Sequence, residues 1–209
     1  MNASVWVNGE LRGAERAREL TTAGDLRIAA DGGARHLWKL GLKPHVVIGD
    51  MDSLDHSLWE NDPSVERIAA SSDKDKTDAE LAVDLAFERG CYQVTLFAAT
   101  GGRLDHTLGN VSLVAKYPGR VAIVDGDATL VAIDNTRKFR LHGTPGSVVS
   151  LIPFGRSVEK VTSIGLRYPI EKEDLTVGTR GISNRLSAHE SCTCVAEGLL
   201  LAYAEQKPE

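Results

Sequence analysis

Short, nearly continuous apolar runs alternate with helical patterns through the first 125 residues. Val5-Trp6-Val7, Arg27-Ile28-Ala29-Ala30, Val46-Val47-Ile48, Val94-Thr95-Leu96-Phe97 and Val121-Ala122-Ile123-Val124 are strand candidates, with a further one near Ile68. Runs of this kind suit strands covered on both faces. Between them, residues 34–40, 77–89 and 106–116 read as helices. Strand and helix in alternation imply a doubly wound, mostly parallel sheet. The helix from Thr77 has the clearest start: Thr77 and Glu80 form a capping box. Leu81, Ala82, Leu85 and Ala86 then supply an apolar face, and Gly90 stops the helix.

After Gly126 the pattern changes. Residues 139–141, 148–152, 158–163, 175–177 and 194–196 are short, partly alternating segments. Gly143-Thr144-Pro145-Gly146, Gly155, Gly165, Gly178 and Gly181 separate them as turn signals. An antiparallel β-sandwich or jelly-roll-like domain is expected here. The join falls near Asp125-Gly126-Asp127, which gives an α/β domain over 1–126 and a β-sandwich domain over 127–209. The fold class is therefore α/β with a second, antiparallel domain.

The 209 residues suffice for one large or two small domains. A net charge of −5 argues against a nucleic-acid partner, which calls for a basic face. The longest apolar stretch, residues 198–204, is strand-sized, so no membrane span is expected, and the N-terminus lacks a signal-peptide pattern. Three cysteines do not suggest a disulfide framework, and a cytoplasmic protein is the natural expectation. Cys192-Thr193-Cys194 reads as two residues on one strand face rather than a metal site. His45 and His56 read as surface residues.

Chemistry concentrates in three acidic loops that leave strand ends. Gly49-Asp50-Met51-Asp52-Ser53 follows the third run, and Asp50 and Asp52 share one side of an extended backbone. Asp73-Lys74-Asp75-Lys76-Thr77-Asp78 leads into the capped helix, with Asp78 in its first turn. Thr100-Gly101-Gly102-Arg103-Leu104-Asp105-His106 follows the strand at 94–97. In an open parallel sheet ligands sit beyond the carboxyl ends of strands. Aspartate favours turns and caps, which explains any one loop. Three such loops at one sheet edge crowd carboxylates that repel unless a cation sits among them, and hard oxygen donors suit Mg²⁺. Gly32-Gly33 and Gly101-Gly102 stand between strand and helix, where glycine lets a phosphate approach the backbone or simply makes a tight turn. Arg103 and Lys74 are placed to meet phosphate oxygens, or are solvated surface charges. No Walker or G-x-G-x-x-G motif is present.

Taken together, these loops resemble the thiamine pyrophosphokinase family, in its bacterial form. The resemblance is carried by Ala30-Asp31-Gly32-Gly33-Ala34, the three acidic loops, Gly165-Leu166-Arg167-Tyr168-Pro169 and Gly181-Ile182-Ser183-Asn184, in order over nearly the whole chain. It implies an α/β domain and a β-sandwich domain, a homodimer with the site between subunits, and Mg²⁺-dependent transfer of diphosphate from ATP to thiamine. It also implies that Asp50, Asp52 and Asp78 hold Mg²⁺, and that Lys74, Asp75, Thr77, Arg103 and Asp105 line the ATP phosphates, with Asp31, Gly32 and Gly33 nearby. By the same resemblance Asp78, Arg103 and Asp105 would form the catalytic set, and Ser183 and Asn184 would meet the pyrimidine. Where eukaryotic members carry Trp after Gly-Leu-x, this chain has Tyr168, which leaves the residue stacked on thiamine open.

Three other readings compete. A DHH-type phosphoesterase shares the Asp-rich loop but needs a second imidazole where this chain has Thr107. Against a pyrophosphokinase for another alcohol, such as a pterin, Gly181-Ile182-Ser183-Asn184 argues for thiamine, through the resemblance alone. A sensor of thiamine or nucleotide would not need so many carboxylates. The general base is open between Asp105 and Asp78.

Overall fold

The computed structural model describes residues 1–22, 24–49, 62–70 and 75–205. The chain divides into two compact units, Met1–Leu113 with Ile123–Gly126, and Val114–Ala122 with Asp127–Glu209.

In the first unit the elements run β1 (Ala3–Trp6), α1 (Ala14–Leu20), β2 (Leu26–Ala30), α2 (Ala34–Lys39), β3 (Val46–Gly49), β4 (Glu66–Ala69), α3 (Asp78–Glu88), β5 (Val94–Phe97) and α4 (Leu104–Lys116). β5, β1, β2, β3 and β4 lie side by side in that order, all parallel. The register aligns Trp6 with Ala29 and Phe97, and Ala29 with Val47. That row is one face of the sheet, and Ala17 of α1 and Ala34 and Leu37 of α2 cover it. Trp6 and Phe97 stack with ring centroids 4.6 Å apart. Each such side chain withdrawn from water contributes about 1.5–3 kcal/mol. The alternate row, Val5, Ile28, Val46 and Leu96, is fully buried on the other face. α3 packs against β1, β2 and β3 and buries Ala79, Ala82, Val83 and Ala86.

The predicted strands and helices of this unit are present, with ends shifted by a residue or two. One helix was not expected, and the strand expected near Ile68 carried only a weak signal. α1 buries only Ala17, so its Glu and Arg positions give no apolar stripe. β4 is an edge strand with little burial, which leaves Ile68 as its only apolar signal.

The second unit carries β7 (Ala128–Ile133), β8 (Phe139–His142), β9 (Val148–Pro153), β10 (Val158–Ile164), β11 (Ile170–Leu175), β12 (Asn184–Arg185), β13 (Glu190–Cys194) and β14 (Leu200–Glu205), while β6 (Val121–Asp125) straddles the division. β12, β9, β14 and β7 lie in one antiparallel array, and β11, β10, β13 and β8 form another. Leu151 and Leu200 from the first array share a core with Val158, Val161 and Leu175 from the second, as a β-sandwich requires. The expected strand at 175–177 lies instead at Ile170–Leu175. Only the two end residues are buried and Lys172 takes a positive φ of 54°, so the alternation is broken. The strand expected at 194–196 lies at Glu190–Cys194, because Ser191 and Thr193 fill its buried positions. No helix among the described residues is long and apolar enough to cross a membrane.

Candidate active site

β1 marks a reversal of strand order. From β1 the chain steps outward through β2, β3 and β4, then returns through α3 to place β5 on the other side. A reversal of this kind places a ligand crevice beyond the carboxyl ends of the strands. A cavity of about 360 Å³ occupies that position. Val7, Asn8 and Gly9 line it from β1, Asp31 from β2, Thr77 and Asp78 from the start of α3, and residues 98–100 with Arg103 from the loop after β5.

Each wall is fixed by its own chemistry. The Thr77 hydroxyl accepts the Glu80 amide at 3.2 Å, the expected cap, and so seats Asp78 in the first turn of α3. A carboxylate there faces the positive end of the helix dipole. Asp31 takes a positive φ of 49°, a conformation aspartate tolerates, and its Oδ2 accepts Asn8 Nδ2 at 3.4 Å. The loops after β1 and β5 remain joined: Val7, Gly9 and Glu10 amides donate to Phe97, Ala98 and Thr100 carbonyls at 2.8–2.9 Å. Gly9 must be glycine, because a Cβ would lie 2.3 Å from the Thr100 oxygen and 2.4 Å from the Ala98 oxygen. Ala98 itself takes a positive φ of 53°, and buried Asn110 on α4 donates to the Ala99 carbonyl at 2.8 Å. Strain of this kind gathers at functional sites.

Arg103 is exposed and held by Asp105 through two hydrogen bonds, Nε to Oδ1 at 3.1 Å and an Nη2 bond to Oδ2 at 2.6 Å. Those bonds push the Asp105 carboxyl below its ordinary range, and they raise the Arg103 guanidinium in turn. A carboxylate so stabilised is a poor proton acceptor, so Asp105 is committed to orienting Arg103. Gly32 and Gly33 are buried, and neither lines the cavity. A Cβ on Gly33 would lie 1.9 Å from the Trp6 oxygen, and one on Gly32 would lie 2.4 Å from Asn8 Oδ1. Close packing against the β1 exit therefore requires these glycines, where the sequence suggested access for a phosphate. Asp75 is described and exposed, while Asp50, Asp52 and Lys74 lie outside the described residues. Gly49, the last residue of β3, lies beside Asp31, where a Cβ would come within 3.2 Å of the Asp31 Cα.

In the second unit Asn184 is buried, and its side chain brackets Tyr168. Oδ1 accepts the Tyr168 amide at 3.1 Å, and Nδ2 donates to the Tyr168 carbonyl at 2.7 Å. Oδ1 also accepts the Arg185 amide at 2.8 Å. Ser183 is exposed at a positive φ of 60°, with its amide donating to Ser150 Oγ at 3.1 Å. Tyr168 is 63% exposed, and the Arg167 guanidinium lies 5.6 Å from its ring centroid. Gly181 carries a φ of 98° and lies so close to β9 that a Cβ would meet the Leu151 oxygen at 2.3 Å.

The two units correspond to two family models. Residues 17–124 match the thiamin pyrophosphokinase catalytic domain, and residues 133–197 match the thiamin pyrophosphokinase vitamin B1 binding domain. The chain belongs to the thiamine pyrophosphokinase family. The thiamine pyrophosphokinase of Bacillus subtilis is 30% identical over 192 residues, covering 84% of this chain and 85% of that protein. A crystal structure of thiamine pyrophosphokinase from Bacillus subtilis superposes with a TM-score of 0.88, at 25% identity and full coverage of both chains. One of thiamin pyrophosphokinase from Geobacillus thermodenitrificans gives 0.87 at 29% identity, covering 100% of this chain and 99% of the other. The expected fold, an α/β domain followed by a β-sandwich domain, is that of the thiamine pyrophosphokinase family.

Asp31, Thr77, Asp78 and Arg103 were named as site residues from sequence and line the cavity, as do Thr100, Gly102 and His106 of the third acidic loop. Asn8 and Asn110 also line it and were not given a role there. Asn8 was accessible to the same rule that found the acidic loops, since Val7-Asn8-Gly9 leaves a strand end. His45 does have a partner: its Nδ1 accepts the Arg27 amide at 3.0 Å.

Proposed function

We propose that the cavity beyond β1 and β5 is where this chain carries out the thiamine pyrophosphokinase reaction, with the ATP phosphates held there. The diphosphate moves as a unit to the primary hydroxyl of thiamine, and thiamine diphosphate and AMP are the products. The observation that carries this reading is the convergence of Asp31, Asp78, Thr77 and Arg103 on one cavity at the switch point of the sheet. Arg103, oriented by Asp105, offers a planar cation to phosphate oxygens. Lys74 and Asp75, just before Thr77 in the sequence, are the further residues assigned to the phosphates in this reading.

The donor set suits Mg²⁺. Asp31 and Asp78 supply carboxylate oxygens on the same cavity, and Gly49, which precedes Asp50 in the sequence, lies beside Asp31. In this reading Asp50, Asp52 and Asp78 hold the ion, which when bound neutralises phosphate charge in an in-line displacement. Asp31 and Arg103 orient the phosphates, and Ser183 with the Tyr168 loop receives the aminopyrimidine. The acidic cleft tolerates the thiazolium cation of thiamine. Residues 127–209 carry thiamine binding and dimerisation, with the site shared between two subunits of a cytoplasmic homodimer.

Incubation of the protein with ATP, Mg²⁺ and thiamine tests the reading. AMP and thiamine diphosphate should appear in equal amounts and only with all three present. ADP with thiamine monophosphate as first products would overturn it. Phosphate release from an ester would favour the phosphoesterase, and binding without product would favour a sensor.

A further inference from the structure

His36 on α2 is buried, yet it is a titratable group with no place in the reaction above. Its Nε2 lies 3.0 Å from the carbonyl oxygen of Gly9, a residue of the cavity wall. A carbonyl only accepts, so Nε2 carries the proton in this contact. Burial, Arg35 and Lys39 hold the imidazole below its ordinary value, with the Gly9 contact opposing them. The ring is therefore neutral near pH 7, and its single proton sits on Nε2 rather than Nδ1.

Gly9 is pinned from both sides. Its amide donates to the Ala98 carbonyl at 2.8 Å, its carbonyl accepts from His36, and a Cβ would collide with the Ala98 and Thr100 oxygens. The preceding residue, Asn8, donates to Asp31 Oδ2 and accepts Arg35 Nη2 at 3.4 Å through its carbonyl. The bond from His36 thus holds the Gly9–Glu10 peptide plane, whose amide donates to the Thr100 carbonyl, while Arg35 and the Ala98 carbonyl hold the adjoining Asn8–Gly9 plane, and Asn8 in turn meets Asp31. We propose that His36 is a positioning residue that, through Nε2–H donation to Gly9, sets the β1 wall of the cavity for the ATP phosphates. This rests on the reading of the cavity as the ATP site.

The test compares His36→Gln, His36→Asn and His36→Leu in the full chain. Glutamine places its amide nitrogen the same number of bonds from Cα as Nε2, whereas asparagine places it one bond short. His36→Gln should retain a KM for ATP within about twofold of wild type. His36→Asn and His36→Leu should raise it about tenfold while the KM for thiamine changes little, as expected for one lost hydrogen bond. A purely structural role would lower kcat with the folded fraction and leave both KM values alone, and that result would overturn the proposal. So would wild-type KM values in folded His36→Leu. If that variant does not fold, the ring nitrogens of the wild-type protein, read by ¹⁵N NMR, decide: a neutral Nε2–H tautomer supports the proposal and Nδ1–H overturns it. Absence of AMP formation by the wild-type protein would instead count against the functional reading. Calorimetric ATP affinity of the same three variants then replaces KM, with the same expected order.

Discussion

Asn184 and His36 illustrate how a side chain can act on a ligand site through the backbone. The resemblance offered Asn184 as a direct partner of an aminopyrimidine. The structure uses both ends of its amide internally, in two hydrogen bonds with Tyr168 and one from the Arg185 amide. In the proposed reading Asn184 stands to thiamine as His36 stands to ATP, one step removed. Asn184→Ala should cost on the order of 1–3 kcal/mol of stability, because a buried side chain with three hydrogen bonds is lost. It should also raise the KM for thiamine, because the Tyr168 loop loses its bracket, while the KM for ATP stays near its wild-type value. Urea denaturation and steady-state kinetics on the same preparation check both parts. Unchanged stability would refute the bracket, and an unchanged KM for thiamine would detach Tyr168 from the substrate. Nothing in the sequence marked His36, since the carbonyl it serves lies 27 residues away and backbone acceptors leave no trace in side-chain patterns.

At the scale of elements, legibility followed burial. The two-sided strands of the parallel sheet were plain because nearly all their side chains are apolar, and α3 was plain because its cap and its apolar face agree. α1 and β4 were not, because almost every residue faces water. In the sandwich, β11 and β13 were displaced by a left-handed residue and by small polar residues in the core, respectively. The Thr77 cap joins an element to the chemistry, since the same residue starts α3 and lines the cavity. Thr77→Ala should destabilise the chain by about 1 kcal/mol, the usual cost of a lost N-cap, and should lower kcat/KM for ATP by more than the loss of folded protein explains. Thr77→Ser keeps the hydroxyl and should restore both. Calorimetric unfolding beside initial rates separates the two effects. Equal behaviour of the Ala and Ser variants would mean that the hydroxyl serves neither purpose.

For the whole molecule, the site was legible in halves. Strand-end loops rich in aspartate pointed to the crevice of the first unit, and Asp31, Thr77, Asp78 and Arg103 do share one cavity there. The sandwich residues Tyr168, Ser183 and Asn184 came from resemblance alone, because a hydrogen-bonding turn looks the same in sequence whether or not it meets a ligand. They fall within the segment that matches the vitamin B1 binding domain, 133–197, while the acidic loops fall within 17–124. A site that needs both segments can be assembled within one chain or across a homodimer, and complementation distinguishes the two. Asp52→Asn removes a proposed Mg²⁺ ligand, and Asn184→Ala loosens the thiamine side. In a mixed dimer with shared sites, one site combines Asp52 from the Asn184→Ala subunit with Asn184 from the Asp52→Asn subunit and is intact, while the other carries both defects. Equal mixing makes half the dimers mixed, so about a quarter of the wild-type rate should return after subunit exchange, at a temperature where both variants are folded. If each site is built within one chain, every site in a mixed dimer carries one defect and no rate returns. Native mass spectrometry of the exchanged sample establishes that mixed dimers formed, so their presence without recovered activity would refute the shared site.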